Sequence, residues 1–328
     1  MAHLLRIGSR PSPLALVQAN AIKQALEAGK GELAATIVPI STSGDRLTSA
    51  SLARAGGKGL FVRELEQALA EGQIDVAVHS LKDLPAVLPD QFRIAAVPAR
   101  EDPRDGLLIR LSGAEIADSD EPWRALAHGA RVGTSSARRQ FELLRMRSDL
   151  AISPLRGNVD TRLRRLAEGG FDAIMLAMAG LKRLGKIGAL AGIKLYPLNE
   201  NGFVPSGGQA ALAIEALSGE TIGGSLELAA IIASLNDPPA RAEVTAERAF
   251  LAAIGASCVS PVGVKGTISG ASLSLRALLF SVDGSAHMAD SCAAPLSLKD
   301  EKYEAVAAAC GQALGQRMLA AGADAIIH

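Results

Sequence analysis

Short apolar stretches alternate with amphipathic ones along the first two hundred residues, and this alternation most constrains the fold. LLRIGS is typical of a strand, and the following SPLALVQANAIKQALEA is typical of a helix with Ser12 as N-cap and Pro13 in its first turn. AATIVPI, GLFVRELEQALAEG and IDVAVH continue the series as strand, helix and strand. Strands that alternate with helices in this way form a mostly parallel, doubly wound sheet.

The same pattern starts again after the charged connector VPAREDPRDG. ARVGTS, LAISPLR and FDAIMLAM are each typical of a strand, and a predicted helix follows each of them. From about Ser225 the order changes, and two predicted helices precede alternating segments and an alanine-rich helix. The sequence therefore predicts an α/β protein with two doubly wound domains and a smaller α+β domain. The predicted domains are residues 1–102, with 201–220 returning to the first domain, then 103–200, and finally 221–328.

Charge and residue usage narrow the possible partners and locations. Lys plus Arg and Asp plus Glu both number 34, so the chain lacks the basic surplus of a nucleic-acid-binding protein. The N-terminus does not resemble a signal peptide, and no apolar run approaches the ~18 residues of a membrane span. Histidines and cysteines are scattered without metal-ligand spacing. We expect a cytoplasmic monomer with no metal and no nucleic-acid or membrane partner.

Polar residues follow several of the predicted strands, where open α/β sheets bind their ligands. Arg10 ends the first strand, and Asp83 follows the third in HSLKDLP, where Pro85 disfavours a helical conformation at Leu84. Asp83 is thus expected at the mouth of a cleft. A solvated loop carboxylate beside Lys82 is the alternative that this pattern leaves open.

Basic residues follow the strands of the second repeat. VGTSSARRQ predicts a strand, a turn and a helix start, which suits an anion because the first-turn amides are free. Guanidinium groups bind carboxylates through paired hydrogen bonds, so arginines converging from two domains would suit a ligand with many carboxylates. For Arg139, Arg164 and Arg165, the alternative is that each only solvates a helix face. Further basic residues near strand ends are Arg156, Arg162, Lys182 and Arg183.

A glycine-rich segment, one histidine and the cysteines also bear on function. AGGKGLF lacks the spacing of a phosphate-binding loop, so a lid carrying Lys58 is the better prediction. His79 ends an apolar strand and is expected to cap or pack there. Cys258 lies in the Gly/Ser-rich turn GASCVSPVG without an evident histidine partner, which favours a covalent anchor over a nucleophile. Cys292 and Cys310 fit small buried apolar residues.

Taken together, these segments resemble the porphobilinogen deaminase family, also called hydroxymethylbilane synthases. The motifs that carry the resemblance run nearly end to end and in the family's order: RIGSRPSPLALVQA, GGKGLFVRELE, DVAVHSLKDLP, REDPRDGLL, VGTSSARRQ, LRGNVDTRL, AGLKRLG, VTAER and SCVSPVG. The resemblance implies two domains like type II periplasmic binding proteins around a cleft, and a third domain carrying one covalent dipyrromethane. The implied reaction, a step of tetrapyrrole and heme biosynthesis, joins four porphobilinogens with loss of ammonia to give hydroxymethylbilane.

The resemblance also implies roles for individual residues. Asp83 would be the catalytic carboxylate, and Cys258 would hold the dipyrromethane through a thioether. Cofactor contacts would come from Ser12, Lys82, Asp83, Thr134, Ser135, Ser136, Arg138, Arg139, Arg156, Gly157 and Arg162. Substrate contacts would come from Arg10, Ser12, Lys58, Arg156, Arg183 and Gln209.

The sequence departs from the family at a few positions. Around Gln209 the family reads closer to P-A-x-G-Q-G, whereas this chain has Ser206 and Ala210. Ser257 stands where glycine is common, and Met178 replaces a usual alanine. A second hypothesis is a non-catalytic protein that binds or senses carboxylate ligands on the same two-lobed scaffold.

Overall fold

Thirteen strands and ten helices make up the parts of the chain that the computed structural model describes, residues 4–28, 33–46, 61–111, 119–188, 190–200, 202–257 and 260–327. The strands are β1 Leu4–Ser9, β2 Ala34–Pro39, β3 Val76–Ser80, β4 Phe92–Ala96, β5 Asp105–Arg110, β6 Arg131–Gly133, β7 Ala151–Ser153, β8 Ala173–Ala177, β9 Ile193–Pro197, β10 Leu212–Leu217, β11 Val262–Ser269, β12 Ser272–Phe280 and β13 His287–Pro295. The helices are α1 Pro13–Glu27, α2 Ser43–Arg46, α3 Arg63–Ala70, α4 Ala137–Met146, α5 Val159–Ala167, α6 Met178–Arg183, α7 Leu226–Ala233, α8 Pro238–Ala253, α9 Tyr303–Ala320 and α10 Asp324–Ile327, and short 3-10 turns cover Leu81–Asp83 and Pro122–Ala125.

The first two sheets share one topology. The first has the order β2-β1-β3-β10-β4 and the second the order β7-β6-β8-β5-β9. In each, three strands pair in parallel, and one strand, β10 or β5, runs antiparallel between two neighbours. This arrangement confirms the predicted α/β class with two doubly wound sheets. The exact domain boundaries stay a prediction. Strand β10 pairs with β3 and β4 in the first sheet.

Local sequence signals explain how the first unit begins. The Ser12 hydroxyl accepts a hydrogen bond from the Ala15 amide at 3.4 Å, and proline occupies the first turn of α1, as predicted. The apolar face of this helix, including Ile22 and Leu26, packs with Leu5 and Ile7 of β1. The 3.6-residue period of the sequence therefore becomes one buried face on the sheet.

The third unit is an antiparallel sheet of order β11-β12-β13, covered by α8 and α9. Exposed and buried residues alternate along β12 from Ser272 to Ala277, as expected of a sheet with one face on a core, and the strand is then buried continuously to Phe280. Gly311 of α9 lies directly against the Ala246 carbonyl of α8, where a Cβ atom would collide with the backbone. Glycine at this position allows the two helices to pack closely.

The predicted boundary at residue 221 assigned helix α7 to the third domain, but the helix packs on the first sheet. Its buried side chains Leu228 and Ile232 join the core of Leu5 and Ile7, so α7 packs on the first sheet and not on the third. Helix α8 contacts the first and the third unit. Its Val244 lies in the core beneath the polar edge of the first sheet, whereas other residues of the helix pack in the core of the third unit. In the ranges described above, none of the helices is long and apolar enough to cross a membrane.

Glu247 of α8 joins the three units at one point. Its carboxylate is fully buried and accepts hydrogen bonds from the Arg100 guanidinium at 2.6 and 3.1 Å. The same carboxylate accepts from the amides of Gly208 at 2.6 Å and Gly266 at 2.8 Å. Arg100 lies in the connection between β4 and β5, Gly208 in the connection between β9 and β10, and Gly266 in β11. One side chain therefore fastens both inter-sheet connections to the third sheet.

Replacing Glu247 by Gln should destabilise the protein strongly, because the buried Arg100 then loses the charge of its main partner. We expect the free energy of unfolding in urea to fall by about 3–5 kcal/mol. Glu121→Gln is the control, since its ion pair with Arg124 at 2.6 Å is solvent-exposed and is expected to contribute less than about 1 kcal/mol. Equal effects of the two substitutions would contradict this role of Glu247.

Candidate functional site

The loop after β3 presents Asp83 at the polar edge of the first sheet. Leu81 is buried, and its amide donates to the Ala211 carbonyl at 3.0 Å, which fixes the start of the 3-10 turn. Leu84 is extended, with φ −78° and ψ 144°, as predicted from the proline that follows it. Between these two anchored residues, Asp83 is exposed to solvent.

Arg10, which the sequence predicted at the same sheet edge as Asp83, and Ser12 both lie near it. The three residues line one small cavity of about 70 Å³ at the ends of β1 and β3. The guanidinium carbon of Arg10 lies 4.0 Å from the centre of the Phe61 ring, a cation–π contact that fixes its orientation. A carboxylate, a guanidinium and a hydroxyl therefore converge at this sheet edge.

Gln209 links the first sheet to the second. Its side-chain oxygen accepts from Lys82 Nζ at 3.1 Å and from Arg139 Nη2 at 3.3 Å. Burial, together with the nearby Arg139 charge, lowers the pKa of Lys82 to about 8, although Asp83 opposes the shift. Lys82, Gln209 and Arg139 thus form a continuous polar path between the two sheets.

A buried carboxylate, Asp105, holds this path in place. Its Oδ1 lies 2.7 Å from Arg139 Nη2 and accepts from Gln209 Nε2 at 2.9 Å, and its Oδ2 lies 2.8 Å from Arg138 Nη2. Burial alone would raise the pKa of Asp105, but the two guanidiniums hold it well below its usual range. Asp105 therefore remains charged and fixes both arginines.

The positive charge of Arg138 is largely balanced by groups within the protein. Besides Asp105, its guanidinium donates to Glu142 at 2.7 Å, the Val204 carbonyl at 2.8 Å and Ser206 Oγ at 3.1 Å. Burial raises the pKa of Glu142 to about 7, although the Arg138 charge opposes this. The cofactor contact predicted for Arg138 stays a prediction, and in this structure the side chain supports its neighbours.

The turn before α4 has the predicted form of an anion-binding helix start. Ser136 is the N-cap and accepts from the Arg139 amide, and the Thr134 hydroxyl accepts from the Ser136 amide at 3.2 Å. Ser135 donates its hydroxyl to the Leu155 carbonyl at 3.0 Å. These bonds hold the turn with the positive end of the helix dipole at the sheet edge.

Three basic residues of the second unit, Arg139, Arg156 and Arg162, lie close enough for their charges to interact. Arg162 Nε donates to the Gly157 carbonyl at 2.7 Å, and burial together with the charges of Arg139 and Arg156 lowers the pKa of Arg162. Arg183 donates to the Ala210 carbonyl at 2.6 Å, and burial lowers its pKa too. Arg139, Arg156 and Arg162 thus form one positive region that an anion would stabilise, whereas the charge that acts on Arg183 is the carboxylate of Glu101.

The alternative of solvated helix faces holds for two arginines and not for the third. Arg164 and Arg165 are exposed on α5, and Arg164 lies 3.9 Å from Glu168 in a surface pair. Arg139 is only 7% exposed and contacts Asp105. His79 is buried with its Nε2 2.9 Å from a Glu215 carboxylate oxygen, in line with the expectation that it packs.

Lys58 and Cys258 lie outside the described residues, but the chain leading to Cys258 is described. Gly255, Ser257, Lys82 and Asp83 all line one cavity of about 610 Å³. The Ser257 amide donates to Ser260 Oγ at 3.0 Å across the intervening positions. The residue before Cys258 therefore opens into the same space as Asp83.

Sequence reasoning missed Asp105, Glu142 and the support given by Ser206. Asp105 stood in REDPRDGLL without a role, and an acidic residue that begins a buried strand could have marked it. Glu142 stands four residues after Arg138 on α4, a spacing that places the two on one helix face. The departure at Ser206 adds a hydroxyl acceptor for Arg138.

Family models and curated relatives agree on one family. The family model "Porphobilinogen deaminase, dipyromethane cofactor binding domain" matches residues 5–222, and "Porphobilinogen deaminase, C-terminal domain" matches 241–320. The porphobilinogen deaminase of Syntrophotalea carbinolica is 42% identical over 323 residues, 98% of this chain and 95% of the relative. That of Roseiflexus castenholzii is 45% identical over 284 residues, 87% of this chain and 88% of the relative. Among solved structures, the periplasmic VFT2 domain of BvgS from Bordetella pertussis is 15% identical, with a TM-score of 0.39 over 71% of this chain and 86% of that domain.

Asp105→Asn should destabilise the protein, because two buried guanidiniums then lose a shared negative charge. We expect the free energy of unfolding to fall by about 3–5 kcal/mol, measured by denaturant titration at pH 7. Asp102→Asn is the control in the same connection, since its partner Arg104 is 43% exposed at the side chain. We expect a loss below about 1 kcal/mol there. If Asp105→Asn were as mild as the control, the fixing role of Asp105 would be wrong.

Ala210 adopts a conformation that favours glycine, with φ of 72°. The family motif has glycine at this position, so Ala210→Gly should relieve backbone strain without removing the Arg183 contact to the carbonyl. We expect the free energy of unfolding to rise by about 0.5–1 kcal/mol. Ala211→Gly, at a neighbouring buried position whose φ is not positive, should lower it by about 1 kcal/mol. A loss of stability in both variants would show that the strain is absent.

Proposed function

This chain belongs to the porphobilinogen deaminase family of hydroxymethylbilane synthases, which use a dipyrromethane cofactor, and from that premise we propose the detailed reaction and its residues. Four porphobilinogens are joined head to tail, each addition releasing ammonia, and hydrolysis releases hydroxymethylbilane. Cys258 holds one dipyrromethane per chain through a thioether. The observation that carries this proposal is the exposed Asp83 carboxylate next to Lys82, whose pKa is lowered by burial and by the nearby Arg139 charge.

The donor set suits a ligand of pyrrole rings bearing acetate and propionate groups. The charges of Arg139 and Arg156 lower the pKa of Arg162, and Lys82 contacts Gln209 beside Asp83. Carboxylates bound here would offset this mutual repulsion and form charge-assisted hydrogen bonds. When bound, the dipyrromethane supplies a nucleophilic pyrrole carbon at its free end. We assign its remaining cofactor contacts to Ser12, Asp83, Gly157 and the turn of Thr134, Ser135 and Ser136, with Arg138 supporting the site.

Asp83 is the catalytic residue in this proposal. Loss of ammonia from porphobilinogen leaves a positively charged azafulvenium, and a fixed carboxylate near the pyrrole N–H stabilises that charge as it develops. The 3-10 turn holds the Asp83 backbone between two anchored leucines, so little reorganisation is needed. After the carbon–carbon bond forms, the same carboxylate can accept a proton from the new ring junction.

Basic residues from both units position the incoming porphobilinogen. Arg10 adjoins Asp83, and Arg183 and Gln209 meet at the turn of Ala210. Since the pKa of Lys82 is about 8, most of its charge is present at pH 7 and is lost as the pH rises through 8. Its hold on a substrate carboxylate should weaken in that range. Lys58, outside the described residues, is proposed to contact substrate from a lid.

Intact mass and turnover test the proposal together. The purified full chain should weigh more than its sequence by two pyrrole units, and Cys258→Ser should lose this excess because the thioether cannot form. Asp83→Ala should keep the excess but lose porphobilinogen consumption by about 10²–10³-fold, the usual cost of removing a fixed electrostatic group. Asp90→Ala, another exposed aspartate, should leave both unchanged.

Two outcomes would contradict the proposal. An unmodified mass together with no porphobilinogen consumption would overturn the reaction as a whole. Full turnover by Asp83→Ala would remove Asp83 from the chemistry. Loss of turnover with the excess mass intact would also exclude the alternative of a non-catalytic carboxylate-binding protein. Monomeric state and cytoplasmic location stay predictions.

A further inference from the structure

Two cysteines that the proposed reaction does not use face each other in the third unit. Cys292 lies in β13 and Cys310 in α9, and their sulfur atoms are 3.0 Å apart. We propose that Cys292 and Cys310 form a dithiol site that a small-molecule disulfide oxidises to an intramolecular disulfide, which fastens β13 to α9. In the sequence both cysteines fit small apolar residues, and their juxtaposition becomes visible only in three dimensions.

The surroundings hold the two sulfurs opposite each other. Arg317 of α9 donates to the Asp290 carboxylate at 2.7 Å and to the Ser291 carbonyl at 2.8 Å, directly before Cys292. Cys292 also lies 3.6 Å from the Cys310 carbonyl oxygen. Strand and helix are therefore aligned by polar contacts that do not depend on the sulfurs, so little backbone movement is needed to close a bond.

The two thiols differ in their access to solvent. Cys310 is 7% exposed within the core of the third unit. Cys292 is half-buried and lines a cavity of about 420 Å³ together with Lys265 and Arg276. A small oxidant can therefore reach Cys292 first. Burial and the Cys310 thiol raise the pKa of Cys292 to about 12, so we expect oxidation over hours and not seconds.

The disulfide oxidant accepts the electrons and the protons that the two cysteines lose. The Cys292 thiol gives up its proton, and its sulfur attacks one sulfur of the oxidant, breaking the oxidant's S–S bond and releasing one thiol. The Cys310 sulfur, after losing its own proton, then attacks Cys292 in the mixed disulfide and releases the second thiol. Two electrons pass from the cysteines to the oxidant, and the two released thiols carry the two protons.

The new bond would strengthen the edge of the third sheet. Among the described residues β13 pairs with β12 alone, so contacts with α9 are its other support. A covalent link between positions 292 and 310 closes a loop across the connection from β13 to α9, which restricts the unfolded chain. The oxidised protein should consequently resist thermal unfolding better than the reduced protein.

To test the proposal, the full chain is incubated with oxidised glutathione. The chain carries Cys258→Ser, which removes the third thiol. We expect intact mass to fall by two hydrogens, both remaining thiols to become unreactive together, and the midpoint of thermal unfolding to rise by about 5 °C. Peptide mapping should find residues 292 and 310 cross-linked. Dithiothreitol should reverse all these changes.

Single variants separate the site from general thiol reactivity. Adding Cys310→Ala should leave a glutathione adduct on Cys292, whereas adding Cys292→Ala should leave Cys310 unmodified, because it is buried. In the chain that keeps Cys258, both alanine variants should retain porphobilinogen turnover, so this test does not depend on the proposed reaction. A stable glutathione adduct on Cys292 while Cys310 is present, or cross-links between separate chains, would overturn the proposal.

Discussion

The buried carboxylate of Asp105 is the constraint on which the site depends. It begins β5, where the chain enters the second sheet, and it contacts Arg138, Arg139 and the Gln209 amide at 2.7–2.9 Å. Two guanidiniums could not be buried side by side without such a charge, because an unpaired buried ion costs several kcal/mol. Since Gln209 also accepts from Lys82, the position of Asp105 sets the geometry of residues on both sheets. The connection between the sheets and the site are thus one structure.

A second buried carboxylate, Glu247, completes this arrangement from the other side. It receives the Gly208 amide, so adjacent residues of one turn are held by opposite partners, Gly208 by Glu247 and Gln209 by Asp105. Glu247 also receives the Gly266 amide of the third sheet. The third unit, which carries the proposed cofactor cysteine, is consequently fastened to the turn that positions Lys82. This coupling provides a physical reason for a tether on one unit to serve chemistry on another.

The features that the sequence predicted correctly are those that depend on residues close together in the chain or on the geometry of a single sheet. Turn chemistry predicts the capped start of α1 and the extended Leu84, and sheet geometry predicts that Arg10 and Asp83 meet at strand ends. The pairing of Asp105 with Arg139 spans 34 positions, and that of Arg100 with Glu247 spans 147, so no periodicity signals them. The packing of α7 on the first sheet was missed for a similar reason. Its apolar residues require burial, but their pattern does not specify which sheet covers them.

The neighbouring arginines of α4 differ in charge compensation because consecutive helical residues point about 100° apart. Arg138 reaches one oxygen of Asp105 and also the Glu142 carboxylate, so its charge faces two acidic groups. Arg139 shares the other oxygen of Asp105 with the neutral Gln209 amide. Its charge is therefore less compensated, and it lowers the pKa values of both Lys82 and Arg162. A chain with no net charge overall thus concentrates positive charge where the two sheets meet beside Asp83, and a polycarboxylate ligand is what that local excess would bind.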